Sequence, residues 1–180
     1  MKGLKAASAI ALLSFMVISQ KANAQTLSDI DIKPQIKPQI EKFQVESNPN
    51  QNSTDVSQKL RIYFEKGLEL VKAEKWNEAI QVFDEIIKIQ QNNQYAYFFR
   101  GFSYLQLKEY QQAKSDLDKS IQLDYSISYA HFFRGVTNYA LGNRQGAITD
   151  LQTAAKLFDK QGKAQMAQKS RDVIQRIRNA

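Results

Sequence analysis

The sequence predicts an all-α solenoid, a stack of helix pairs, and the spacing of small and aromatic residues leads to that prediction. Glycines recur at a step of 34 residues, at Gly67, Gly101 and Gly135. Two further series follow the same step: Ala79, Ala113 and Ala147, and Phe83, Leu117 and Leu151. A constant period of this length indicates an array of structural repeats, each stacked on its neighbours.

Within one period the apolar residues follow a helical pattern. In the first unit Leu60, Phe64, Leu68 and Val71 recur three or four residues apart, which places them on one face of a helix. A polar break follows, and a second apolar helix starts at Trp76. The order of helix, short turn and helix then recurs, which predicts three repeats at about 57–92, 93–126 and 127–159.

The glycine series predicts close contact between the two helices of a repeat. Glycine inside a helix costs about 1 kcal/mol relative to alanine, so its recurrence at one position indicates that a partner backbone approaches there. The alanine series in the second helices supplies the matching small side chains. Gly142 fits the left-handed conformation that ends a helix, which predicts a turn at that residue.

The residues Tyr97, Gly101, Tyr104, Ala113 and Leu117 resemble the pattern of the tetratricopeptide repeat family. Two further sets match with more departures: Tyr63, Gly67, Leu70, Ala79 and Phe83, and His131, Gly135, Asn138, Ala147 and Leu151. The proline that usually ends such a repeat is absent. The resemblance covers residues 57–159 and implies a right-handed superhelix of three helix-turn-helix repeats, whose first helices line the concave face.

By the same resemblance, eight residues are expected to line a partner-binding groove: Phe64, Leu68, Tyr95, Phe98, Phe102, Tyr129, Phe132 and Val136. Some members of the family hold the terminal carboxylates of chaperones with Lys, Asn and Arg at such positions, whereas here the positions are apolar. An apolar groove favours an apolar or aromatic peptide. Packing of these side chains between helices explains the pattern equally well.

Two arginines and two aspartates occupy matched positions in the second and third repeats. Arg100 and Asp116 stand in the two helices of the second repeat, and Arg134 and Asp150 stand at the same places one period later. The co-occurrence predicts an ion pair between the helices of each repeat. Such a pair would fix helix register more than it adds stability.

The amino terminus predicts a targeting signal. Lys2 and Lys5 precede an uncharged apolar run over residues 6–19, and Ala22-Asn23-Ala24 follows as a small-x-small site. This is the layout of a bacterial secretory signal peptide, residues 1–24, cut after Ala24. We therefore expect a periplasmic or secreted mature protein.

Residues 25–56 contain all three prolines of the chain and have no helical period, so we expect a disordered or extended linker. Ile30, Ile32, Ile36 and Ile40 would share one side of an extended chain, which leaves a short docking strand as a second interpretation. At the other end, the helical pattern continues from Asp159 to Arg178. Residues 160–180 are predicted to form a capping helix, apolar inside and basic outside.

Composition argues against most catalytic chemistry. The chain has no cysteine and one histidine, which excludes thiol catalysis, Cys-based zinc sites and multi-histidine metal sites. That histidine, His131, stands at the repeat position that Tyr63 and Tyr97 hold in the first two repeats. A residue at this position is expected to pack against its neighbours and not to bind a ligand. A glycine-rich phosphate loop and a nucleophile elbow are both missing from the sequence, so we expect no catalytic residue, metal or cofactor.

These observations predict a non-catalytic scaffold that binds a protein or peptide partner. The net charge is +7, but three of the positive charges lie in the predicted signal peptide, which weakens a nucleic-acid interpretation. After the predicted signal peptide, the sequence has no apolar run long enough to predict stable insertion into a membrane. Two alternatives stay open: self-assembly into homo-oligomers through an open first helix, and an accessory subunit of an envelope enzyme complex.

Overall fold

The computed structural model describes residues 53–180, and all regular secondary structure in this part of the chain is helical. Short turns join seven helices: α1 (Ser53–Lys72), α2 (Trp76–Ile89), α3 (Gln94–Gln106), α4 (Tyr110–Leu123), α5 (Ser128–Ala140), α6 (Arg144–Lys160) and α7 (Ala164–Asn179). Successive helices pack against each other, so the predicted all-α solenoid is confirmed. The predicted signal peptide and residues 25–52 of the predicted linker lie outside the described residues.

The ends of the helices follow from local sequence. The Asn93 side chain accepts a hydrogen bond from the Ala96 backbone N–H at 2.9 Å and caps α3, and Asn143 caps α6 in the same way. The turns within the three repeats share a left-handed residue: Glu74 (φ 58°), Lys108 (φ 62°) and Gly142 (φ 81°). The left-handed conformation predicted for Gly142 is confirmed, and it lets the chain reverse direction within a few residues.

Gly101 and Gly135 mark the close approach of paired helices. A Cβ atom at Gly101 would lie 3.2 Å from the Ala113 carbonyl oxygen, and one at Gly135 would lie 3.1 Å from the Ala147 carbonyl oxygen. The predicted contact between the glycine and alanine series is therefore present in the second and third repeats. At Gly67 the obstacle is different, because the nearest atom there belongs to the Phe83 ring, 2.7 Å away.

Two boundaries differ between the sequence analysis and the structure. Helix α1 starts at Ser53, so residues 53–56 belong to the helix and not to the linker. The helix predicted from Asp159 to Arg178 is interrupted, because α6 ends at Lys160 and α7 begins at Ala164. Between them Gly162 adopts φ 71°, and the Lys163 N–H donates to the Phe158 carbonyl at 2.9 Å, which closes the helix end.

One hydrophobic core runs through the described chain, from Leu60 in α1 to Ile177 in α7. Aromatic pairs join the repeats: the rings of Phe83 and Phe99 stack with centroids 5.4 Å apart, across the boundary between the first repeat and the second. Within residues 53–180, every helix falls short of the length and apolar character that a bilayer-spanning segment needs.

Candidate functional site

The first helices of the repeats form the inner layer of the solenoid. Helix α1 contacts α3, and α3 contacts α5, in addition to the contacts that each makes with its own pair partner. Within residues 53–180, the second helices of neighbouring repeats contact each other less than the first helices do. A stack of helix pairs bends towards the layer whose helices are closer together, so the first helices line the concave side.

A continuous set of apolar side chains follows this layer, and we call it the inner row. It takes three residues from each first helix at matching steps of the repeat: Phe64, Leu68, Val71, Phe98, Phe102, Leu105, Phe132, Val136 and Tyr139. Six of the eight residues predicted for the groove belong to it. Leu105 and Tyr139, which the sequence places beside the groove, also belong to it. Sequence reasoning missed the third, Val71, although the 34-residue step from Leu105 and Tyr139 points to it.

The rings of the inner row contact other helices. Phe98 and Phe102 flank Phe133 of the next repeat, with ring centroids 6.0 and 4.8 Å from it, and Phe102 also meets the Trp76 ring edge-on at 5.7 Å. Phe98 is 0% exposed and Phe102 is 2% exposed. These rings thus pack between repeats, as the second interpretation of the sequence holds, and their contact with a ligand stays a prediction.

The other two predicted groove residues differ in exposure. Tyr129 is buried against the Phe158 ring, with centroids 4.9 Å apart, and the Lys163 ammonium lies 5.0 Å from its ring centroid. Tyr95, at the start of α3, is only half-buried. Burial raises the pKa of the Tyr95 hydroxyl, and the charge of Asp124 raises it further. Tyr95 therefore presents a neutral, partly accessible phenol beside the inner row.

The paired arginines and aspartates lie where the sequence places them. Arg100 donates to both carboxylate oxygens of Asp116, with Nε and Nη2 each at 2.7 Å. Arg134 binds Asp150 with the same geometry, at 2.9 and 2.5 Å. Each pair joins the first and second helices of one repeat through two parallel hydrogen bonds.

Each arginine also reaches the preceding repeat, which the sequence analysis missed. Arg100 Nη1 donates to Asp84 at 2.6 Å, and Arg134 Nη1 donates to Asp118 at 2.8 Å. Asp84 and Asp118 are one period apart, so the 34-residue step carried the signal. The guanidinium groups consequently tie three helices and two repeats together, and their hydrogen-bonding capacity is largely used within the fold.

The two carboxylates respond differently to these environments. Burial raises the pKa of Asp116, and the hydrogen bonds and charge of Arg100 only partly offset that rise. Burial acts in the same direction on Asp150, but the neighbouring His131 and Arg134 outweigh it and hold the pKa of that carboxyl below its usual value. Asp150 also accepts a hydrogen bond from Asn138 at 2.8 Å.

His131 is buried in the third repeat and lies beside this pair. Its Nε2 atom donates to the Tyr125 carbonyl oxygen at 3.0 Å, and its ring meets the Tyr125 ring edge-on at 4.6 Å. Its Nδ1 atom is 3.9 Å from Asp150 Oδ1. Within residues 53–180, no cluster of three or more His, Cys, Asp or Glu side chains is arranged to hold a metal ion.

The amino-terminal end of the stack is mostly polar. Later repeats bury Ala96, Phe99 and Ser103, or their equivalents, between neighbouring repeats. The matching residues of α1 are Ile62, Glu65 and Glu69, all exposed. Pairing of two copies through this open end would therefore bury two glutamates and one isoleucine, which offers little apolar area for self-assembly.

Comparison with known proteins identifies the repeat. Residues 95–126 match the family model of the tetratricopeptide repeat. Among curated proteins, no sequence match is found. The solved tetratricopeptide-repeat domain of Arabidopsis OM64 is similar, with 26% identity, a TM-score of 0.61, and coverage of 67% of this chain and 94% of its own.

Two similar structures contain bound protein segments. The first tetratricopeptide repeat domain of Spaghetti (RPAP3), bound to the HSP90 peptide SRMEEVD, has 24% identity and a TM-score of 0.61, over 68% of this chain and 92% of its own. PcrH, a Pseudomonas aeruginosa protein solved with the chaperone binding region of PopD, has 18% identity and a TM-score of 0.64, over 67% and 91%. Residues 95–126 thus match the tetratricopeptide repeat family, and residues 53–180 have the fold of solved tetratricopeptide repeat domains.

Proposed function

We propose that this chain is a non-catalytic scaffold that holds an apolar or aromatic segment of a partner protein against its concave face. The observation that carries the proposal is the inner row itself. All nine of its side chains are apolar or aromatic, and they run without a charged residue from α1 to α5. A partner's apolar side chains suit such a row better than charged ones, and Tyr95, half-buried beside it, is the one predicted groove residue that is not buried.

The ligands in the similar solved structures help to decide which kind of partner segment fits this chain. The peptide SRMEEVD in the Spaghetti (RPAP3) structure ends in acidic residues and a terminal carboxylate. The inner row offers such a ligand no lysine, arginine or asparagine. A segment of a longer protein, like the region of PopD held by PcrH, needs no terminal carboxylate. An internal apolar segment is therefore the better match to this face.

The polar groups of the fold support a scaffold over an enzyme. Arg100 and Arg134 donate hydrogen bonds to four carboxylates, and the His131 ring packs edge-on against the Tyr125 ring. Catalysis by these groups would need a reactant within hydrogen-bond reach of a free nucleophile, acid or base. Their bonds instead hold helices and repeats in register.

We also propose that the protein works outside the cytoplasm, because the amino-terminal sequence has the layout of a cleaved signal. The test is the intact mass of the protein recovered from the periplasmic fraction of a bacterial host. A chain that starts at Gln25 is expected. Recovery of the unprocessed chain in the cytoplasm alone would contradict the proposal.

The binding proposal is tested by selecting peptides from a random display library on the purified protein. We expect enrichment of internal apolar or aromatic residues, with no requirement for an acidic carboxyl end. A parallel selection on the variant Tyr95→Ser, which changes the accessible phenol beside the inner row, should enrich different sequences. Enrichment of acidic carboxyl termini, or identical selections on both proteins, would refute the assignment of the face.

A further inference from the structure

The positive charge of the described chain is concentrated at its carboxyl-terminal end. Residues 53–143 contain eleven lysines and arginines and eleven aspartates and glutamates, so their net charge is zero. Residues 144–180, which hold α6, α7 and the turn between them, contain eight basic and three acidic residues, a net charge of +5. The last helix pair of the stack therefore differs in charge from the repeats before it.

Two of the three acids in this helix pair are already neutralised. Asp150 is buried and accepts two hydrogen bonds from Arg134 of α5. Asp159 is paired with Arg171. Asp172, the third acid, is exposed on α7. The surface of the pair thus keeps a large excess of positive charge at neutral pH.

Two contacts show that the cations of α6 and α7 lie on adjacent, antiparallel helices. Arg144, at the start of α6, donates from Nη2 to the backbone carbonyl oxygen of Arg178, near the end of α7, at 2.8 Å. Towards the other end of the pair, Arg171 meets Asp159. A helix of 17 residues, the length of α6, extends over roughly 25 Å. We call the exposed cations of the pair the basic face: Arg144, Lys156, Lys160, Arg171 and Arg178.

The apolar side of α7 faces the fold and not the solvent. Its buried residues are Ala167, Ser170, Val173, Ile174 and Ile177. The exposed positions of α7 hold mostly polar and charged side chains. A helix that embeds itself in a bilayer surface needs an apolar side that is available for the lipid. Contact between this end of the molecule and a partner is therefore electrostatic.

An anionic bilayer surface matches the basic face better than a peptide does. Recognition of a peptide uses a groove in which donors and apolar pockets are placed for particular groups. The basic face instead distributes exposed lysines and arginines along roughly 25 Å of two adjacent helices. A bilayer offers a plane of anionic headgroups to such a surface, and groups of four to eight Lys and Arg residues on a helix are typical of proteins that bind it.

We propose that the basic face binds the surface of an anionic bilayer, without insertion, and holds the solenoid there by its carboxyl-terminal end. Because the contact is electrostatic, it is reversible and weakens as salt screens the charges. The face lies on the last helix pair, so attachment there leaves Tyr95 of α3, in the second repeat, accessible to a partner. The proposal concerns a different surface from the concave face and does not depend on the peptide-binding function.

The test is sedimentation of the mature chain with two kinds of vesicle. One kind contains phosphatidylglycerol and phosphatidylcholine in equal parts, and the other contains phosphatidylcholine alone. We expect the protein to bind the anionic vesicles at low salt, to leave them at about 0.5 M salt, and to stay in solution with the neutral vesicles. Equal binding to the two kinds of vesicle would overturn the proposal.

Two double variants locate the contact. Lys156→Gln with Arg178→Gln removes one exposed cation from each helix of the basic face and should weaken binding to the anionic vesicles by roughly twentyfold. Lys66→Gln with Lys72→Gln removes the same charge from exposed positions on α1 and is the matched control, which should bind nearly as tightly as the wild type. Circular dichroism should be unchanged in both variants, because all four positions are exposed.

Equal losses in the two double variants would assign the binding to net charge and not to the basic face, and would overturn the proposal. Competition with soluble polyglutamate separates a bilayer from an acidic protein as the partner. At equal concentrations of anionic charge, the protein should stay on the vesicles. Its transfer to polyglutamate would assign the face to an acidic protein and would also overturn the proposal.

Discussion

The second and third repeats share one frame but differ in what surrounds it. Each has a glycine at the helix crossing, and each has an arginine bound to two aspartates. Tyr97 and Tyr104 of the second repeat, however, become His131 and Asn138 in the third. The guanidinium of Arg100 lies over the Tyr97 ring, 5.4 Å from its centroid, whereas Asn138 and His131 turn towards Asp150.

Because of this difference, the aspartates of two similar ion pairs have pKa values that are shifted in opposite directions. Asp116 takes its side-chain hydrogen bonds from Arg100, and burial keeps its pKa raised. Asp150 has Asn138 in addition to Arg134, and a histidine nearby, and its pKa is lowered. The fold thus maintains the geometry of the pair in both repeats. His131 helps to lower the pKa of Asp150, whereas burial and the charge of Asp84 keep the pKa of Asp116 raised.

The largest expected effect comes from removing the carboxylates. Asp150→Ala should lower the free energy of unfolding by about 3 kcal/mol, because it leaves Arg134 half-buried without its main partner. Asp116→Ala should cost about 1 kcal/mol less, because it leaves no amide donor without its acceptor, as Asp150→Ala leaves Asn138. Urea unfolding followed by circular dichroism at neutral pH measures both. Equal costs, or an unchanged stability for Asp116→Ala, would contradict the pairing and its difference between repeats.

The pH dependence of the two sites should have opposite signs. The folded state lowers the pKa of Asp150, so its stabilising charge is fully present above the unfolded pKa, near pH 4, and is lost as pH falls through the folded value. The cost of Asp150→Asn should therefore shrink from pH 7 towards pH 3. The folded state raises the pKa of Asp116, which favours its protonated form, so the cost of Asp116→Asn should grow over the same range.

Urea titrations of the wild type and the two asparagine variants at several pH values give this comparison. Parallel changes for the two variants would show that the surroundings of the two pairs are equivalent. The test separates electrostatics from packing because asparagine keeps the shape of the aspartate side chain.

Alanine at the crossing glycines should destabilise both repeats. A Cβ at Gly135 would meet Leu151 Cγ at 2.9 Å, and one at Gly101 would meet Asp116 Cβ at 3.0 Å. Overpacking of this kind costs about 1 to 3 kcal/mol, and the helical preference of alanine returns about 1 kcal/mol. A net loss is expected in thermal unfolding, slightly larger at Gly135. The exposed substitution Gln111→Ala is the control, and a gain in stability at either glycine would disprove the close approach.

The smallest expected effect concerns the turns that end the first helices. Lys108 adopts φ 62°, and Gly142 adopts φ 81° at the same place in the next repeat. Lys108→Gly should raise stability by a few tenths to about 1 kcal/mol, and Gly142→Ala should lower it by about 1 kcal/mol or more, because only glycine takes this conformation without strain. Changes of the same sign in the two variants would contradict the equivalence of the turns.

The features that recur in the sequence were the ones that could be predicted from it. A step of 34 residues identified the paired helices, the crossing glycines, and the aspartates that bind Arg100 and Arg134 within their own repeats. The bonds to Asp84 and Asp118 were missed because they join different repeats, and a pattern within one repeat does not show how far the next is rotated. The break at Gly162 was missed because it lies after the last full repeat, where an amphipathic pattern continued across the turn.

The binding face was harder to predict for a physical reason. Apolar residues at a helical spacing are needed both for packing between repeats and for contact with a ligand, so Phe98 and Phe102 fit either role. The structure shows their packing and leaves Tyr95 as the partly accessible residue of the predicted groove on α3. Exposure, which separates the two roles, depends on the arrangement of helices and not on the pattern along one helix.

The most direct test of the binding face uses two tyrosines with similar burial on opposite layers. Tyr95 lies on the inner helix α3 and Tyr110 on the outer helix α4, and both are half-buried. The measurement is the affinity of a display-selected apolar peptide for the wild type, Tyr95→Ser and Tyr110→Ser. Binding at the concave face predicts a loss of about tenfold, or about 1.4 kcal/mol, for Tyr95→Ser and no change for Tyr110→Ser. Equal losses in the two variants, or a loss confined to Tyr110→Ser, would contradict it.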